Sequence, residues 1–198
     1  MMAEGVATPT AIFANAAAAL RENPFDDISY RALGDAVGVS ERTVYRHFPT
    51  RSHLLEGVAG WIEQAEFPLP PFVTIPQFQE ASRARFLAFD SAPAFAFVCA
   101  RAASISPTGE AEPTFFTRAL VAMLAANHPS VNERDLRRVA ATLRYFASAQ
   151  FWARMRTGFE MSAPAIADIF DRTVESALGD LLVVTDIEMS SVSRQMPG

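Results

Sequence analysis

The chain has 198 residues, half of them hydrophobic and 11% aromatic, so it can bury a core of ordinary size and is not a disordered polymer. Its 17 basic residues are all Arg and stand against 22 acids; the net charge of −5 supplies no global field toward nucleic acid or anionic membrane, and any DNA binding must rest on a local surface. The absence of Lys excludes Schiff-base and lysine general-base chemistry, and the lone Cys99, in the apolar run AFAFVCA, excludes an intrachain disulfide and a multi-Cys metal site, fits a reducing cytoplasm and reads as a buried inert thiol.

The first predicted helix opens at Thr8-Pro9, a capping hydroxyl followed by a residue whose missing N–H costs nothing there. Ile12, Phe13, Ala16, Ala17 and Leu20 repeat at helical spacing, and Asn23-Pro24 stops the run. The stretch TAIFANAAAAL has no positive segment before it and is interrupted by Asn15, so it reads as this helix and not as a leader, and no membrane-length apolar run follows. Ser29 caps a second helix whose inward stripe is Leu33, Ala36 and Val37, and Gly38 permits the left-handed backbone that ends it. A third helix opens at once with Ser40 and closes at Pro49. Gly34 marks a close approach between the two, and Val39, Val44 and Phe48 supply the apolar contacts that lock this helix-turn-helix.

A fourth helix runs from Thr50 through Leu54, Leu55, Val58, Ala59 and Ile62 to the proline-rich loop FPLPPFVTIP. Because His53 stands where an acid would complete a capping box with Thr50, that reciprocal cap is missing. Further helices are predicted at about 77–90, 94–104, 113–127, 133–157 and 163–184, with SPTGEAEP and ANHPSVNE as breaks and the last twelve residues as a frayed polar tail. No strand and no internal repeat is read, so the fold class is all-α.

The third helix carries the chemistry. With Val44 and Phe48 turned inward, Arg42, Thr43, Arg46 and His47 lie on the outer side. Arg can make two parallel bonds to guanine, Thr can hydrogen-bond a base or pack on a thymine methyl, and His can bond a base edge or a phosphate. Tyr45 and Arg51 fall at the edges of that face, where they would reach phosphates; Ser29 and Arg31 in the first turn of the preceding helix would hold another. Taken singly, each has a plainer reading as a packed or solvated side chain. As a set on one helix-turn-helix frame they point to a reading surface in a major groove.

These residues resemble the TetR family of transcriptional regulators. The resemblance covers about positions 10–60, with ISYRALGDAVGVSERTVYRHFPTRSHLLEGV similar to the family's motif nearly from end to end. It places the turn at Gly38-Val39-Ser40 and the recognition pattern at Thr43-Val44-Tyr45 and His47-Phe48. Arg51 stands where the family usually has a phosphate-contacting Lys. The basic arm that often precedes the first helix is not matched by MMAEGVATP, and residues 1–66 hold five Arg against nine acids. The resemblance implies a helix-turn-helix DNA-binding domain over 1–50 and a helical effector-binding and dimerisation domain over 51–198.

One recognition helix covers too few base pairs for useful specificity, and two-fold pairing solves this. The long helices at 133–157 and 163–184 resemble the family's dimerising pair, with Leu143, Ala147, Phe170, Val174 and Leu178 as candidate interface residues among the apolar stripes, which extend to Leu181 and Leu182. Small residues such as Ala140 and Ser148 would allow close helix approach. Phe86, Phe89, Phe97, Phe116, Phe151 and Trp152 either fill a helical core or line a cavity for a small, largely hydrophobic effector. Among Arg83, Arg85, Arg101 and Arg118, one turned inward would pair with an acidic ligand group. No metal-ligand spacing, Ser-His-Asp set or phosphate-cradling loop is read, so neither cofactor nor catalysis is expected. The expectation is a cytoplasmic, ligand-responsive regulator, a repressor that binds an inverted-repeat operator as a homodimer. The alternative is an all-helical ligand-binding protein or enzyme whose helix-turn-helix is only scaffold.

Overall fold

The computed structural model describes residues 4–104 and 115–193, with side chains over 9–104 and 115–179. Among the described residues there are helices and no strand. They form two compact units, one drawn from Met1–Leu69 and Leu87–Glu110 and the other from Pro70–Phe86 and Ala111–Gly198.

The first unit holds α1 (Glu4–Ala19), a short 3-10 turn (Phe25–Asp27), α2 (Tyr30–Val37), α3 (Glu41–His47), α4 (Arg51–Ala65), the end of α5 (Ile75–Ser91) and α6 (Pro93–Ser104). Three helices start by the same device: the hydroxyls of Ser29, Ser40 and Thr50 accept the N–H of Ala32, Thr43 and His53, each satisfying one otherwise orphaned donor of a first turn. α2 ends at Gly38, whose φ of 73° is the left-handed conformation that a side chain would strain. α1 packs on α2 and α4, α2 on α3, and α4 on α6. Ile12, Ala16, Leu33, Val44, Phe48, Leu54, Leu55, Val58 and Ile62 are buried in this unit, and the Phe13 ring lies 5.2 Å from that of Phe48. Buried Cys99 directs its thiol at the Ala59 carbonyl.

Three expectations change here. α1 begins at Glu4 and not at Pro9, so Pro9 lies inside it; proline's missing N–H forfeits one bond to the preceding turn without ending the helix. Ala36 is exposed, because an eight-residue helix buries only the side toward α1 and α3, here Tyr30, Leu33 and Gly34. The 3-10 turn between α1 and α2 was not foreseen; it has no hydrophobic repeat and shows only as FDD after Pro24.

The second unit contains the start of α5, α7 (Phe115–Asn127), α8 (Glu133–Phe146), α9 (Ala149–Phe159) and α10 (Ala163–Ser193). The predicted helix 133–157 is two helices. Ser148 is the cause: its hydroxyl donates to the Tyr145 carbonyl at 2.6 Å and accepts the Phe151 N–H at 3.2 Å, closing α8 and capping α9. In sequence it passes for a small residue within one long stripe. α10 continues to Ser193, so residues 187–193 are helical where a frayed tail was expected; Leu181 and Leu182, SPTGEAEP and the first eight side chains lie outside the residues described at side-chain level.

Rings hold this unit together. Phe78 lies 5.1 Å from Phe72 and 5.4 Å from Phe170, Phe170 lies 5.6 Å from Phe86, and Phe151 lies 6.3 Å from Phe86 and 4.9 Å from Phe146. Such edge and tilted pairs add about 0.5–1.5 kcal/mol each beyond area burial. Beside them the buried Asp171 of α10 accepts from Gln79 Nε2 at 3.0 Å and from the Arg83 guanidinium, which fixes α10 to α5.

Two glycines test the close approach. A Cβ at Gly34 would stand 2.7 Å from the Val39 carbonyl oxygen, which is backbone, whereas one at Gly60 in α4 would meet nothing within 4 Å. Gly34→Ala is expected to lower stability by about 1–3 kcal/mol through overpacking, and Gly60→Ala to raise it by about 0.5–1 kcal/mol through helix propensity. Denaturant unfolding of the two variants checks the contrast.

Candidate nucleic-acid interface

The helix-turn-helix is shaped by backbone contact. Because Gly34 has no side chain, the Val39 N–H reaches the Gly34 carbonyl at 2.9 Å and α3 starts directly against α2. α3 is seven residues long, too short to hold itself in water. It is kept by its cap, by buried Val44 and Phe48, and by Tyr30.

On the outer side of α3, Ser40, Arg42, Thr43, Tyr45 and Arg46 line one open depression. Arg42 and Arg46 are exposed and, among the described residues, neither is in an ion pair. Thr43 Oγ1 lies 3.0 Å from the Ser40 hydroxyl, which orients it. Tyr45 is 52% exposed, with its ring 4.4 Å from that of Tyr30. His47 is half-buried beside Phe48 at the end of the helix. Ser29 is exposed at the start of α2, and Arg31 two residues on in the same first turn makes a loose 3.7 Å pair with Glu41. An exposed pair of this kind contributes little and leaves the guanidinium available.

Arg51 is different. From the first turn of α4 its guanidinium donates to the Ile28 carbonyl at 2.5 Å and to the Phe25 carbonyl, and it stacks 4.5 Å above the Phe25 ring. The expected phosphate-facing side chain is therefore turned inward, toward two carbonyls of the 3-10 turn and its C-cap that lie within its reach. Tyr30 was missed in the sequence reading. It is 4% exposed, donates from its hydroxyl to the Phe48 carbonyl at 2.9 Å, and lies beneath Tyr45. Burial pushes its phenol above the ordinary value, with the nearby Arg51 charge opposing, so it stays a donor. An aromatic at the first position of a helix is the only hint the sequence offers. His53 also does more than expected: its ring Nδ1 lies 2.7 Å from the Thr50 hydroxyl that caps α4.

The model of the family described as "Bacterial regulatory proteins, tetR family" matches residues 12–58, the stretch from α1 through the turn into α4. Residues 12–58 form a tetR-family domain. The similar curated proteins include nucleoid occlusion factors SlmA from Shewanella baltica, 41% identical over 46 residues that cover 23% of this chain and 23% of that protein. Those from Marinomonas sp. and Alteromonas mediterranea are 42% and 40% identical over 48 residues, covering 24% of this chain and 24% and 25% of theirs. The matched stretch thus spans about a quarter of the relatives' length. No solved structure matches.

Outside the tetR-family domain the other candidates scatter. Of the effector set, Phe86, Phe116, Phe151 and Trp152 are buried in the second unit, whereas Phe89 belongs to the first, where its ring packs 4.8 Å from Phe67, and Phe97 is 40% exposed on α6. α6 turns Phe95, Ala96, Val98 and Cys99 inward, which leaves Phe97 off the buried side. Of the four middle Arg, Arg83 pairs with Asp171, Arg101 pairs with Asp26, Arg118 is exposed, and Arg85 is buried. Leu143, Ala147, Phe170 and Val174 are at most 1% exposed, so they serve the chain's own core and are not offered to a partner; Leu178 is half-buried. Periodicity alone does not separate an inward stripe from an interface stripe. No group of three metal-ligating side chains occurs among the described residues.

Tyr30→Phe would leave the buried Phe48 carbonyl without that donor and is expected to cost about 1–3 kcal/mol. Thermal or denaturant unfolding at constant pH measures it.

Proposed function

We propose that the chain is a homodimeric, cytoplasmic transcriptional regulator, most simply a repressor, that holds an inverted-repeat DNA operator through α3 of each subunit. The observation that carries this reading is the side-by-side placement of exposed Arg42, Tyr45 and Arg46 with half-buried Thr43 along one open depression, on a short helix whose other side is locked into the fold. Charge alone would not draw an acidic chain to DNA; a local set of two guanidinium forks and a hydroxyl supplies base readout in a major groove. Ser29 and Arg31 flank it as phosphate contacts, and His47 closes the row. No residue is assigned a catalytic role. Among the described residues no single helix is long and apolar enough to cross a membrane.

Pairing of two chains through the α8–α10 region sets the two reading helices about 34–36 Å apart, one turn of the duplex. On α10, half-buried Leu178 is an apolar residue open to a partner, whereas Phe170 and Val174 are enclosed in the core. The ring-rich second unit, with Phe86, Phe116, Phe151 and Trp152, is the place for a small hydrophobic effector, which weakens DNA binding only by the difference of its affinities for the two forms.

Gel shift with DNA flanking the coding gene is expected to show retardation that weakens steeply with salt; no retardation at low salt would favour the scaffold alternative. Arg46→Ala and Thr43→Ala are expected to relax base preference, costing about 1–3 kcal/mol on the preferred site and little on other sequences. Sedimentation should give a two-chain particle, and Leu178→Arg a single chain; a single chain for the unaltered protein would remove the dimer.

A further inference from the structure

We propose that Arg51 is a positioning residue: with Tyr30 it clamps the entry of α2 to the exit of α3 and so sets how α3 is presented to DNA, in place of contacting a phosphate. The inference rests on the DNA-binding reading above and assigns Arg51 a different part in it.

Arg51 joins the start of α4 to the Phe25 and Ile28 carbonyls, immediately before Ser29 caps α2. Tyr30, the first residue of α2, joins back to the Phe48 carbonyl, where α3 ends. Since only Pro49 and Thr50 separate Phe48 from Arg51, the two links close a loop through the chain around α2 and α3. The same rings fill its centre, with the Arg51 guanidinium 4.5 Å from Phe25 and 5.7 Å from Tyr30, and Tyr30 4.4 Å from the exposed Tyr45. Arg51 and Tyr30 together thereby fix the entry of α2, the exit of α3 and the floor under one of the outward residues of α3.

The chemistry requires Arg. Its planar fork supplies parallel donors to two carbonyls while its face stacks on an aromatic ring; a lysine ammonium is a point charge that cannot do both. A phosphate would compete for those donors, and its binding would release both carbonyls.

The test compares Arg51→Lys, Arg51→Gln, Tyr30→Phe and Arg51→Lys with Tyr30→Phe, each shown folded by circular dichroism. Affinity is measured on a duplex that the unaltered protein selects from genomic fragments and on a scrambled duplex, over a range of salt. Arg51→Lys and Arg51→Gln are expected to lose about tenfold or more on the selected duplex, as a misplaced base contact does. Affinity for the scrambled duplex and its salt slope should stay near those of the unaltered protein. The combined variant should lose less than the product of its parts, because both act on one element. The proposal is overturned if Arg51→Lys binds both duplexes like the unaltered protein, or if Arg51→Gln weakens both equally with a salt slope smaller by about 0.9, the mark of one lost phosphate contact. Should the unaltered protein select no duplex, the DNA-binding reading fails by itself. The clamp is then read from amide hydrogen exchange: faster exchange in α3 of Arg51→Lys with α10 unchanged supports it, and unchanged α3 exchange overturns it.

Discussion

The approach of the Val39 carbonyl to the Cα of Gly34 governs this protein. Backbone lies against backbone there, at a distance no side chain fits, and the left-handed Gly38 beside it makes the turn that brings α3 under α2. Everything the reading helix displays depends on that turn. A helix of seven residues has no stability of its own, so its direction is inherited from the contacts at its two ends.

Those contacts divide the labour of α3 by side. Val44 and Phe48 face inward and are buried, while Arg42, Thr43, Tyr45 and Arg46 face water. The outward set costs stability little, since exposed guanidinium groups stay hydrated until a partner replaces the water. The inward side is also tied by hydrogen bonds to backbone carbonyls, from the Tyr30 hydroxyl to Phe48 at the end of α3 and from the Arg51 guanidinium to Ile28 just before α2, a stiffer fastening than apolar packing alone because it fixes direction as well as distance. Preorganisation of this kind lowers the ordering cost of docking on a duplex.

The second unit is built on another principle. Its core is a chain of phenylalanine rings in tilted and edge-on contact, fastened at one side by Asp171 with Gln79 and Arg83. Helices packed this way keep many similar contacts when they slide or tilt slightly, and a ring can be exchanged for an apolar ligand without stranding a polar group.

The sequence by itself determined the all-helical class, the three capped helices around a glycine turn and the residue types outward on α3, because capping, glycine conformation and a period of 3.6 are local properties written in neighbouring residues. Local rules of this kind fail where one pattern serves two ends: Leu143, Ala147, Phe170 and Val174 carry the stripe of an interface and are core, and Ser148 carries the pattern of a helix interior and is a cap. Only the tertiary structure decided that Arg51 turns inward and that Tyr30 lies under Tyr45. Their partners are carbonyls and rings many positions away, and no local rule of composition or spacing reports which distant group a long side chain will meet.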